Sequence, residues 1–170
     1  YEAVHHCTMH DVIVRTTGLT DELKIEEMLL YGMQPFAADR EYPAMPAGAP
    51  EAVRLLSETY KLGIVTSRTK AHIFEGPEFG QFEKYFQAAI GYQDTKNHKP
   101  HPEPLLLCAS QLGLKPEECA YVGDAATDIQ AATAAGMKSI LYAIKSAHGA
   151  SYVTSSFAEI PKLVSQLAKH

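Results

Sequence analysis

The sequence predicts an α/β fold built on a parallel sheet, and three observations carry that expectation. Short, almost wholly apolar runs at LGIVT (62 to 66), CAYVG (119 to 123) and KSILYAI (138 to 144) read as strands buried on both faces. Helix-patterned stretches separate these runs in regular alternation. The connections are a few residues long and are punctuated by Gly and Pro. Right-handed crossovers then bring the C-terminal end of every strand to one edge of the sheet. In open sheets of this kind, ligands bind outside that edge.

Taken in order, residues 1 to 42 differ in texture from the rest of the chain. YEAVHHCTMHDVIV and LTDELKIEEMLLYGM read as helices, and VIV at 12 to 14 is the only strand-like run. Thr20 is the expected N-cap of the second helix, with acids in its first turn and Leu23, Met28 and Leu30 as its apolar residues. REYPAMPAGAP, with three prolines and a glycine, reads as a linker. Residues 50 to 59 suit a helix with Val53, Leu55 and Leu56 on its apolar side. LGIVT comes next as a strand, and FQAAI (86 to 90) is a weaker strand candidate after a polar stretch. PEPLLLCASQLGL is a helix entered through proline and stopped at Gly113. CAYVG is a strand, TDIQAATAAG a helix stopped at Gly136, KSILYAI a strand and FAEIPKLVSQLAK a closing helix.

Composition narrows the function. The chain has 170 residues, 46% hydrophobic and 21% charged, which suits one sizeable core. Its formal net charge is -5, without a basic run, so no nucleic-acid partner is expected. No apolar stretch approaches the ~20 residues that span a bilayer, so no membrane partner is expected either. Cys7, Cys108 and Cys119 are odd in number and form no CxxC pair, which fits a reducing, cytoplasmic setting better than a disulfide framework. His6 and His10 stand one helical turn apart near His5 and Cys7, but no further ligand stands at a spacing that completes a zinc site.

The candidate chemistry lies at the predicted sheet edge. Thr66 ends the first clear strand, Lys99 sits in the loop NHKPHPEP, and Asp124 and Asp128 come after the strand CAYVG. Each has an ordinary explanation alone: a β-former at a strand end, a solvated lysine, acids that cap a helix and complement its dipole. Together, a hydroxyl, a lysine and a carboxylate pair suit phosphoryl transfer, which depends on positioning and charge neutralisation of non-bridging oxygens. Asp124 suits Mg²⁺, a hard cation that keeps several waters and takes one or two carboxylates, with Asp128 as a supporting partner.

LGIVTSR, KPHPEPLL and YVGDAATDIQAATAAGM, in that order, resemble the second, third and fourth motifs of the haloacid dehalogenase superfamily. The resemblance runs from about Tyr42 to the C-terminus, including a closing strand and helix in SYVTSSFAEIPKLV, and is nearest to the phosphoglycolate phosphatase and β-phosphoglucomutase-like branch. It implies a three-layer, Rossmann-like parallel core at 43–170 and a partial helical cap at 1–42. It also implies a Mg²⁺-dependent phosphohydrolase of a small phosphorylated metabolite. Thr66, helped by Ser67, would bind phosphate; Lys99 would steady the phosphate and the nucleophile; Asp124 would ligate Mg²⁺, with Asp128 supporting the metal site.

One departure matters. The family opens on a DxDx(T/V) strand whose first Asp is the nucleophile and whose second is the general acid and base. This sequence has no DxD, so the resemblance implies that the first strand and its aspartyl nucleophile lie upstream of Tyr1. Phosphomutase chemistry shares every residue named above and stays open, as does a non-catalytic phosphate-binding role. A two-component receiver domain would place its acids before Thr and Lys, and a dinucleotide-binding domain would carry GxGxxG; neither pattern is present.

Overall fold

A computed structural model describes residues 20–32, 44–143 and 148–169. The chain divides into two units, Tyr1–Glu41 and Tyr42–His170. The expected first helix, the VIV run, and His5, His6, Cys7 and His10 lie outside the described residues, as do the side chains of Met28 and Leu30.

In the first unit, helix α1 spans Glu22–Gly32. Its N-cap is Asp21 rather than Thr20: the Asp21 carboxylate accepts from the Leu23 and Lys24 N–H groups at 3.1 and 3.4 Å. A carboxylate next to the first turn satisfies two orphan donors and complements the dipole, so it displaces the neighbouring hydroxyl. Ile25 is buried, whereas Leu23, expected on the apolar side, is 77% exposed.

The second unit begins with α2 (Ala49–Ser57), entered through Pro50 in its first turn. Ala49 and Ala52 are buried and Val53 and Leu56 partly so, a spacing of three, one and three that marks one helical face. Leu55, expected on that face, falls off it and is exposed. Strand β1 (Leu62–Val65) is next, then a short helix α3 (Pro77–Gly80) and strand β2 (Phe86–Ile90). Helix α4 covers Glu103–Leu112, β3 Ala120–Gly123 and α5 Ala126–Ala134. Strand β4 (Lys138–Tyr142), β5 (Tyr152–Thr154) and α6 (Ile160–Leu167) complete the order.

Among the described residues every strand pairing is parallel, and the strands form two sheets, β1-β2 and β3-β4-β5. Parallel neighbours need crossovers, which the intervening helices supply. Helix α4 packs on β1 and β2, while α5 packs on β3 and β4. Ala88, Ile90, Cys108 and Leu112 make one buried cluster. Leu105 of α4 joins Ala131, Ala132 and Ala135 of α5 in a second. Val65 packs against both clusters, and Tyr121 packs against the second, so these side chains tie the two sheets together. Alanine on α5 allows that close helix approach.

Helix α4 ends as its glycine predicts. Gly113 takes φ 67°, its N–H reaches Ser110 O and the Leu114 N–H reaches Ala109 O, the two bonds of a Schellman stop.

Candidate active site

Strand β1 delivers Thr66 to the sheet edge. The Thr66 N–H donates to Ile90 O at 3.0 Å, so the end of β1 is fixed against the end of β2. Its Oγ1 accepts from the Arg68 N–H at 3.2 Å, folding the chain into a tight turn. The Arg68 carbonyl in turn receives the Tyr92 N–H at 2.8 Å. Ser67 is exposed in this turn, and among the described residues no hydrogen bond joins it to the other candidates.

Strand β3 delivers the acids. Asp128 lies in the first turn of α5, and its Oδ2 accepts from the N–H groups of Asp124 and Ala125, each at 3.1 Å. The Ala125 N–H at the N-cap is one of the orphan donors of the helix start, and the Asp124 N–H is held one residue ahead of it. The approach is so close that a Cβ on Gly123 would stand 2.4 Å from Asp128 Cβ. Only glycine fits there. Asp128 Oδ1 takes the Lys99 ammonium at 2.7 Å, with the two side chains 15% (Lys99) and 6% (Asp128) exposed.

Lys99 arrives on a braced loop. Glu103, in the first turn of α4, accepts from the N–H groups of Lys96 and Asn97 at 3.0 and 3.1 Å and from Asn97 Nδ2 at 2.7 Å. The Asn97 amide and the Lys96 N–H hold the Glu103 carboxyl below its usual range. His98 stacks on Tyr92 with ring centroids 3.9 Å apart. Burial lowers the His98 imidazole, partly opposed by Glu103, so the stacked ring is the neutral form at pH 7. His101 is largely exposed and accepts from the Glu103 N–H at 3.2 Å.

Tyr121 completes the cluster. Lys99 Nζ donates to its hydroxyl at 3.2 Å, and that hydroxyl donates to Val65 O at 3.2 Å. Burial pushes the Tyr121 phenol up to about 12, with Lys99 opposing the rise, so it stays protonated and able to donate. Burial alone would lower the Lys99 ammonium; Tyr121 and Asp128 outweigh it and raise it, which keeps the charge. One hydrogen-bonded path therefore runs from the residue before Thr66, through Tyr121, Lys99 and Asp128, to the backbone of Asp124.

A sequence profile of haloacid dehalogenase-like hydrolases matches residues 3–142. The chain belongs to this family. Over 79 residues this haloacid dehalogenase-like hydrolase is 49% identical to the phosphoglycolate phosphatase of Salmonella choleraesuis, a match covering 46% of this chain and 31% of that enzyme. The corresponding enzyme of Escherichia coli is 44% identical over the same length and is covered to the same 31%. Among solved structures, a haloacid dehalogenase-superfamily hydrolase from Geobacter sulfurreducens is 26% identical with a TM-score of 0.62, covering 90% of this chain and 70% of that one.

The site of this haloacid dehalogenase-like hydrolase brings Lys99 and Asp128 into direct contact and reaches Asp124 through its N–H. The Asp124 side chain belongs to an exposed residue, and among the described residues nothing donates to its carboxylate. Among those residues, too, no three of His, Cys, Asp and Glu converge on one point. Mg²⁺ asks for less, since one or two carboxylates with waters and substrate oxygens suffice. Asp124 fits that role by its freedom. Asp128, whose oxygens already accept three hydrogen bonds, fits a supporting one.

Two residues escaped the sequence reading. Tyr121 was hidden as an ordinary strand aromatic, although a phenol in a strand buried on both faces must find a partner. Glu103 was hidden as a first-turn acid, and its work on Lys96 and Asn97 became visible only with the loop.

Proposed function

We propose that the protein containing this chain is a Mg²⁺-dependent phosphatase of a small phosphomonoester. It works through an aspartyl-phosphate whose nucleophile lies upstream of Tyr1. The buried Lys99–Asp128 pair, held at the sheet edge by Tyr121 and the Asp124 N–H, carries this reading. A charged lysine fixed by two side chains is costly to build as a mere surface feature, because burial penalises both ions. At an edge where a phosphate sits, it supplies a preorganised positive charge for the oxygens that gain charge in the transition state.

The other groups take complementary parts. Thr66 keeps its hydroxyl proton for a phosphate oxygen, since its Oγ1 already accepts from the Arg68 N–H. Ser67 adds a second hydroxyl in the same turn. Asp124 offers its carboxylate to Mg²⁺, which when bound neutralises phosphate charge and orients the transferring group. Asp128 holds Lys99 and the Asp124 backbone in register. Residues 1–42 contribute part of a helical cap, the segment that selects substrate. The similarity to phosphoglycolate phosphatases makes a short phosphorylated carboxylic acid the first substrate to test.

The test uses the complete reading-frame product with Mg²⁺ and phosphoglycolate. Asp124→Asn is expected to lower Mg²⁺-dependent turnover by ~10²-fold or more, as losing one transition-state contact does. Lys99→Ala is expected to do the same. Turnover within a few-fold of wild type in both variants would remove these residues from the chemistry and leave a phosphate-binding role.

A further inference from the structure

Strands β1 and β2 leave the sheet edge together, and the turns that follow them lie backbone against backbone. Val65 pairs with Ile90, and Thr66 and Gly91 come next. Gly91 is where the two chains touch: a Cβ built on it would stand 2.8 Å from Lys70 N and 3.1 Å from Arg68 O. Its φ of -100° is open to any residue, so this glycine answers to space and not to backbone conformation.

The three residues after Gly91 each hold the turn that carries Thr66. The Tyr92 N–H donates to Arg68 O at 2.8 Å. Gln93 Oε1 accepts from the Lys70 N–H at 3.2 Å, and Asp94 Oδ1 accepts from the Lys70 ammonium at 3.3 Å. Asp94 also closes its own short turn: its Oδ2 accepts from the Gly91 N–H at 2.8 Å, and its N–H donates to Gly91 O at 3.2 Å. On its other side the same turn meets the loop of Lys99 through the Tyr92–His98 stack.

The two arms of the Asp94 carboxylate differ in weight. The Lys70 side chain is 64% exposed, so its ion pair is worth little in water. The bond to the Gly91 N–H is part-buried and is the firmer arm. An acid that caps a turn ordinarily serves that turn alone. Here the turn it closes is also the support on which the Thr66 turn rests.

We propose that Asp94 is a positioning residue of the candidate site: by closing the turn at Gly91 it sets where the Thr66 hydroxyl stands, without touching substrate. The proposal rests on the functional reading above, in which that hydroxyl meets a phosphate oxygen. A donor displaced by a fraction of an ångström loses more in the transition state than in the ground state, so the effect falls chiefly on kcat.

The test is a double-mutant cycle on the complete reading-frame product with Mg²⁺ and phosphoglycolate. Asp94→Ala is expected to lower kcat ~10-fold while KM stays within about twofold. Asp94→Asn keeps an oxygen for the Gly91 N–H and is expected to stay within about threefold of wild type. In a Thr66→Val background, Asp94→Ala is expected to cost less than about twofold further, because the hydroxyl it positions is gone. An equal loss in both backgrounds would overturn the proposal, since a general loss of folded enzyme does not depend on Thr66. So would wild-type kcat in Asp94→Ala.

Amide hydrogen exchange supplies a readout apart from activity. The Arg68 and Tyr92 amides, which donate to Thr66 Oγ1 and Arg68 O, are expected to exchange ~10-fold faster in Asp94→Ala. Those of Ile140 and Leu141, buried in β4, are expected to stay as they are. Unchanged Arg68 and Tyr92 amides would overturn the proposal at any level of turnover. A wild-type product that hydrolyses no phosphoglycolate would sink the functional reading by itself, and the exchange rates would still decide whether Asp94 positions the turn.

Discussion

Lys99 shows how much one side chain is asked to hold. Its ammonium touches Asp128 and Tyr121, and through them both sheets, at 15% side-chain exposure. Lys99→Met strands the Asp128 carboxylate without its cation, which costs about 3–5 kcal/mol for a buried pair. Lys99→Met with Asp128→Asn together is expected to cost clearly less than the sum of the single changes. Urea unfolding of the three variants checks this, and additive costs would mean that the pair is not coupled. These residues were legible in the sequence as a set, because Lys and Asp types at a strand-helix junction have few joint explanations. Their division of labour was not. Nothing in the spacing of Asp124 and Asp128 says which carboxylate turns inward; the bare Cα of Gly123 decides it by leaving room for Asp128.

At the scale of elements, the loop carrying Lys99 is held from both ends, by Glu103 below and by the Tyr92–His98 stack beside it. The stack imposes a pH response. His98 is lowered in the folded state by burial, so between its folded value and the ordinary 6.5 the unfolded chain binds the extra proton. Stability therefore rises with pH through that window and falls on acidification below 6.5. His98→Phe keeps a ring on Tyr92 and is expected to flatten that part of the pH–stability curve; an unaltered curve would place the response elsewhere. Elements were the most legible level. Each strand run between residues 62 and 142 appears within one or two residues of its expected bounds in the described chain, because buried parallel strands announce themselves as apolar runs. The misreadings were angular. Leu55 and Leu23 point outward because helix faces were read from residue type, whereas burial on α2 follows Ala49, Ala52, Val53 and Leu56 at true helical spacing. The cap at Asp21 shifted by one for a chemical reason, the stronger acceptor winning.

For the molecule as a whole, an α/β body with parallel strands was legible from alternation alone. The division of the described strands into two sheets and the side chains that bridge them were not, because they depend on which helices meet. Leu105 is the chief stitch, buried to 1% exposure where α4 meets α5 and packed with Val65 and Tyr121. Leu105→Ala is expected to destabilise the second unit by about 2–5 kcal/mol, read from the shift in denaturant midpoint. A cost below about 1 kcal/mol would mean that the two sheets stand independently.

Parallel pairing also sets a timetable for synthesis. Strand β1 ends at Val65, and its partner β2 is complete only at Ile90. Those intervening residues take roughly 1–5 s to add at ~5–20 residues per second. Over that interval the apolar run LGIV leaves the ribosome with no neighbour to pair with, and a slowed ribosome lengthens its exposure.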